Sequence, residues 1–176
     1  MRRTVRLSDG AVTQQEALAP EELSVSGTAL TNTFGPEYRM LLIGAGQLTE
    51  YLATMALFSG FAVTVCDPRE EFVGSWNVPG AKLVRDMPDD VVAAFKPDRR
   101  TCVVALTHDP KLDDPALVAA LNSPAFYIGA LGSTRTHASR VERLTQAGLA
   151  AELPRIHAPV GLDLGGRLPA EIAVAI

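Results

Sequence analysis

Residues 39–67, RMLLIGAGQLTEYLATMALFSGFAVTVCD, decide how this chain folds. An apolar run, Met40 to Ile43, leads into Gly44-Ala45-Gly46. A helix-forming segment follows, and a second apolar run, Phe61 to Cys66, ends on Asp67. The order is strand, glycine turn, helix, strand, acid. A nucleotide-binding βαβ unit needs each part for a physical reason. Gly44 permits a tight turn, and Gly46 lets a phosphate come close to the backbone. The helix start at Gln47 offers unpaired N–H groups and a partial positive charge. Asp67 lies about 20 residues past Gly46, the spacing at which a carboxylate accepts from a ribose 2′-OH. Thr49 stands where the fingerprint calls for Gly or Ala. Its branched side chain is expected to lift the pyrophosphate or displace the helix. A unit whose glycines only make a turn is the other reading of the same stretch.

Beyond this stretch, strands are expected at 39–43, 61–66, 82–84, 101–106, 126–129 and 155–157. Helices are expected at 47–58, 89–95, 114–121, 134–147 and 169–176. TCVVAL (101–106) is nearly all apolar, as a parallel strand buried on both faces is. On 134–147, Ala138, Val141, Leu144 and Ala147 recur at helical spacing, with Arg140, Glu142 and Arg143 on other faces. The alternation predicts an α/β fold, a doubly wound, Rossmann-like parallel sheet with helices on both faces. Residues 36–176 form that domain in this reading. Residues 1–35 read as a short N-terminal β arm, or the remnant of a missing N-terminal domain, with one or two strands around Thr4–Leu7 and Leu23–Ser26 and a loop at Ala19-Pro20-Glu21-Glu22. Pro36-Glu37 leads into the first sheet strand. The last helix has no cap, which points to a truncated chain or a helix finished elsewhere.

Composition narrows the function classes. A net charge of −4 without a basic block argues against nucleic acid. The uncharged stretch Tyr51–Cys66 is too short to span a bilayer, and MRRTVRLSDG lacks the apolar run of a signal peptide. The expected location is therefore the cytoplasm. Cys66 and Cys102 lie in apolar runs and read as small buried hydrophobes, with no metal spacing and no disulfide framework.

In an open parallel sheet, ligands bind beyond the carboxyl ends of the strands. The candidate binding residues lie in the loops expected there: Gly44, Gly46 and Gln47; Asp67 and Arg69; Thr107 and His108; Gly129, Gly132, Ser133 and Arg135; Gly161 and Asp163. Ser133 or Thr134 can cap a helix, and Arg135 can pair with a phosphate. Two glycine turns on one edge would suit a ligand with more than one phosphate. Arg69 offers room for a 2′-phosphate, although DPRE also reads as a solvated turn. His108 reads as a loop histidine, His157 as a core histidine and His137 as solvated. GxSxG, HExxH and GxxxxGK[ST] are all absent, so no catalytic residue is assigned.

The set LLIGAGQL (41–48), VTVCDPREEF (63–72), VALTHDPKLDDPAL (104–117), YIGALGSTR (127–135) and RIHAPVGLDLGGRLPAEIAVAI (155–176) resembles the C-terminal Rossmann domain of the xanthine dehydrogenase accessory proteins, the XdhC/CoxI family. The resemblance implies a cofactor-binding chaperone more than a catalyst. Such proteins bind molybdenum cofactor, in molybdopterin or dinucleotide form. They assist its sulfuration by a cysteine desulfurase and deliver it to xanthine dehydrogenase or a related molybdenum hydroxylase. A homodimer is also implied. The family's N-terminal cysteines have no counterpart in Cys66 or Cys102, so no cysteine role carries over. The alternative left by the residues themselves is a Rossmann-type NAD(P)-dependent oxidoreductase.

Overall fold

The computed structural model describes residues 1–17, 21–34 and 38–176. The expected loop residues Ala19 and Pro20 and the Pro36-Glu37 lead-in lie outside the described residues. The chain divides into two compact units, Met1–Glu37 and Tyr38–Ile176.

The first unit is an antiparallel sheet of β1 (Arg2–Arg6), β2 (Val12–Gln15), β3 (Ser24–Val25) and β4 (Ala29–Thr33), in the order β2-β1-β4-β3. Four strands replace the one or two expected. Pairing explains them: Val12, Val5, Leu30 and Val25 fall into one row across the sheet, a cross-strand alignment that single-strand periodicity does not reveal. No described residue of 1–34 is buried.

The second unit holds six parallel strands: β5 (Arg39–Ile43), β6 (Ala62–Cys66), β7 (Lys82–Val84), β8 (Thr101–Ala105), β9 (Tyr127–Ala130) and β10 (Ile156–His157). Their order, β10-β9-β8-β5-β6-β7, is that of a doubly wound Rossmann sheet. The helices are α1 (Gln47–Phe58), α2 (Glu70–Val73), α3 (Pro88–Phe95), α4 (Pro110–Leu121), α5 (Thr134–Gln146) and α6 (Pro169–Ala175). Both sheet faces are covered. Leu42, Val63, Val65 and Val104 pack with Leu52, Ala53 and Ala173 of α1 and α6. Leu41, Ile43, Val103 and Ala105 pack with Val92, Leu117 and Leu144 of α3, α4 and α5. Burial on both sides is why these strands read as unbroken apolar runs, each large side chain contributing about 1.5–3 kcal/mol.

One helix start and one whole helix depart most from the sequence reading. Helix α4 begins at Pro110 because Asp109 caps it, accepting from the Lys111 N–H at 2.9 Å, and Pro110 fits its first turn. Pro115, which imitates a later start, lies inside the helix. Residues 70–73, which begin on the last residue of the DPRE segment expected as a solvated turn and lie outside every expected helix, form the short helix α2. Helix α1 ends as its sequence predicts. Gly60 takes φ +87°, and the Gly60 and Phe61 amides donate to Leu57 and Ala56, a Schellman closure. Among the described residues, no helix is long and apolar enough to cross a membrane.

Candidate functional site

Strand β5 lies between β6 and β8, so the chain's crossover opens a crevice above its carboxyl end. A cleft of about 580 Å³ occupies that position, within the usual range for a small-ligand site. Gly46, Gln47 and Thr49 form one wall, Thr107 and His108 another, Gly132 and Ser133 a third, and Arg69 with Phe72 a corner.

The first glycine turn is open toward this space. Gly44 has φ +109°, and a Cβ there would meet Thr107 Cγ2 at 3.0 Å and the backbone carbon of Leu106 at 3.3 Å. Gly44 therefore lets the turn after β5 approach the loop after β8 and does not line the cleft. Gly46 has an extended backbone, and a Cβ there would meet no atom within 4 Å. It caps α1 without any side-chain hydrogen bond. Gly46 and Gln47 at that end line the cleft. Thr49 is only 1% exposed although it borders the cleft.

Asp67 is fully buried. Its Oδ2 accepts from the Ala45 N–H and from Arg69 Nη2, both at 2.8 Å; its Oδ1 accepts from the Arg69 N–H at 3.0 Å and Arg69 Nε at 2.9 Å. Burial would raise the carboxyl's pKa. The Arg69 side chain, the two backbone N–H groups and the guanidinium charge outweigh that and hold it below the ordinary value. Arg69 also lies over the Phe72 ring, 4.1 Å from its centroid.

The β8–α4 loop is held from behind. Asp113, fully buried, accepts from the Thr107 N–H at 3.2 Å and from Thr107 Oγ1 at 2.7 Å. Thr107 Oγ1 also accepts from the Asp109 N–H at 3.0 Å. His108 at the loop's apex has φ +63°, a strained conformation for a non-glycine residue, and is exposed at the cleft. Burial pushes the Asp113 carboxyl up, against the Thr107 hydrogen bonds and Arg140.

Arg140, expected on an outer helix face, is only 2% exposed. Its Nη2 lies 3.7 Å from Asp113 Oδ2, its Nε lies 3.6 Å from Asp114, and Nη2 donates to the Leu131 carbonyl at 3.3 Å. Helical periodicity does not show this, because the two acids belong to α4. Arg140 and Asp113 thus tie the β9–α5 turn to the β8–α4 loop. His137, expected to be solvated, is half-buried beside them; burial and then Arg140 lower its pKa.

The second glycine turn is closed by the protein itself. Gly129 is inside β9, not in the loop after it, and a Cβ there would meet Val160 Cγ2 at 2.6 Å. At Gly132 a Cβ would meet the Thr136 side chain at 3.1 Å. Ser133 caps α5 by accepting from the Thr136 N–H at 3.1 Å. Arg135 is exposed and outside the cleft lining. Gly161 and Asp163 line a neighbouring cleft of about 530 Å³. Gly161 sits against α6, where a Cβ would meet the Ala175 carbonyl oxygen at 2.7 Å, and Asp163 accepts from the Gly165 N–H at 3.3 Å. His157 is exposed and stacked on Tyr127, centroids 4.5 Å apart, not the core histidine expected. Cys66 and Cys102 are free and buried, and burial pushes both thiols up to about 12.

Among known proteins, the chain is similar to a Bacillus subtilis (strain 168) protein described as a probable xanthine dehydrogenase component, 33% identical over 80% of this chain and 41% of the relative. It is 42% identical to the molybdenum cofactor insertion chaperone PaoD of Escherichia coli (strain K12), over 40% of this chain and 22% of that protein. The chain thus spans less than half the length of either curated relative. A crystal structure described as a xanthine dehydrogenase (BH1974) from Bacillus halodurans superposes with a TM-score of 0.66 at 24% identity, covering 99% of this chain and 59% of that one, which establishes a shared fold. Residues 40–176 match the XdhC Rossmann domain, and the chain belongs to that family.

Proposed function

We propose that this chain is a maturation factor for a molybdenum hydroxylase of the xanthine dehydrogenase type, and that its cleft binds molybdenum cofactor or the dinucleotide form. The observation that carries the reading is the open turn at Gly46: an uncapped helix start with unfilled space before it suits the phosphate of such a ligand. The names of the similar proteins supply the cofactor's identity. In this reading the amides after Gly46 hold the anionic end, Arg69 and His108 border the ligand, and Asp113 fixes the loop that carries Thr107. The bound cofactor supplies the molybdenum chemistry. Sulfuration with a cysteine desulfurase, and a homodimer, belong to the proposal on the strength of the family resemblance. Cytoplasmic residence is supported by two free, unpaired cysteines.

Titration of the purified chain with molybdenum cofactor tests the reading. Saturable binding that weakens when Gly46 is replaced is the expected result; absence of binding, with the remainder of a longer relative supplied, contradicts it. The strand order keeps a second reading in play, an NAD(P)-dependent oxidoreductase. Equilibrium dialysis against NAD and NADP tests this second reading, and absence of affinity for both removes it.

A further inference from the structure

In a dinucleotide-binding sheet, the acid ending the second strand of the βαβ unit presents free oxygens to a ribose diol. Here that acid is Asp67, and all four of its hydrogen-bond positions are taken. The Ala45 N–H, the Arg69 N–H, Arg69 Nε and Arg69 Nη2 occupy them at 2.8–3.0 Å. The carboxylate is fully buried, while the guanidinium is partly exposed and lines the cleft.

We infer that this corner of the cleft is an anion subsite that accepts a phosphate monoester where an ordinary dinucleotide site accepts ribose hydroxyls. The inference rests on the reading of the cleft as a nucleotide-type cofactor site. Asp67 and Arg69 together carry no net charge, so attraction by a bare charge does not decide the outcome. What decides it is which group reaches the cleft. The acceptor is buried and saturated; the guanidinium is partly exposed and lines the cleft. Arg69 Nη1 has no partner among the described residues, and a guanidinium retains N–H protons there after a two-point contact with a carboxylate. A ribose diol entering this corner finds no free carboxylate oxygen. A phosphate finds a planar donor edge whose geometry it matches. The Phe72 ring beneath the guanidinium and the contact with Asp67 hold that edge in place before the ligand arrives. The Asp67 hydrogen bond, with the charges of Asp67, Glu71 and Asp109, raises the guanidinium's pKa against burial, and the group is charged as arginine always is.

The test compares two small probes on the full chain by calorimetry: adenosine 2′,5′-bisphosphate and adenosine 5′-diphosphate. The expected result is at least tenfold tighter binding of the 2′-phosphorylated probe, with the ratio falling to about one in Arg69→Leu. Equal affinities in the unmodified protein overturn the inference, a comparison that needs no variant to fold. So does an unchanged ratio in Arg69→Leu. Binding of molybdenum cofactor with neither probe bound overturns the subsite and leaves the proposed function standing. Failure of all three ligands removes both.

Discussion

The two glycine turns of this sheet look alike in sequence and do different work. Gly44-Ala45-Gly46 and Gly129-Ala130-Leu131-Gly132 each follow a parallel strand and open a helix. The first ends on a glycine whose missing side chain leaves empty space, before a helix start that no side chain caps. The second spends its glycines on packing: Val160 fills the space over Gly129, Thr136 fills that beside Gly132, and Ser133 satisfies the helix start. A glycine marks a ligand site only where nothing of the protein's own occupies the vacated volume. In the function proposed above, the first turn is the one left open to grip a phosphate, while the glycines of the second are taken up by packing.

Three predictions separate the turns further. The largest effect belongs to Arg140, which holds the second turn through the Leu131 carbonyl and pairs loosely with two acids. Arg140→Met should lower stability by about 3 kcal/mol, the low end for breaking a buried pair, because Asp113 can take up a proton. A shift in the urea midpoint reads this out. Next, Gly129→Ala places a Cβ 2.6 Å from Val160. It should cost about 1–3 kcal/mol by overpacking, with a lowered Tm and unchanged binding at the first turn. Retained stability would mean that the second turn has room to spare.

The smallest effect is a difference of sign in acid. Asp67, under the first turn, has a folded pKa below its unfolded value of about 3.9. Its contribution is present above that value and is lost as pH falls through the folded pKa. Asp113, behind the β8–α4 loop and beside Arg140, has a folded pKa above its unfolded value. Its contribution is present below about pH 3.9 and is lost as pH rises through the folded pKa. Urea midpoints followed across acid pH should show Asp67→Asn flattening the lower limb and Asp113→Asn flattening the upper one.

Much of the fold is legible because burial on both sheet faces leaves its mark strand by strand. Leu41-Leu42-Ile43 and Val103-Val104 announce a covered parallel sheet directly. What stays hidden depends on partners far away in the chain. Val160 reaches Gly129 from beyond β10, and the acids that bury Arg140 sit on another helix. Asp113-Asp114-Pro115 imitates a helix start, which conceals the true cap at Asp109. For the site, the positions of Gly46, Gln47, Thr107 and His108 at one cleft follow from strand order alone. That Asp67 is saturated by Arg69, two residues away, follows only from a backbone that folds the pair together. A clue is present in the sequence, since Asp-Pro-Arg places a fork-shaped donor within reach of its own acid.

Everything proposed for the cleft turns on the space before Gly46 being the seat of the ligand's anionic end. Gly46→Ala probes that space with little else disturbed, because the backbone there, φ −82° and ψ 175°, suits alanine and the new methyl touches nothing in the protein. Measured by calorimetry with molybdenum cofactor, the variant should keep its melting temperature and bind at least tenfold more weakly. Equal affinity in the two proteins would mean that the anion sits elsewhere.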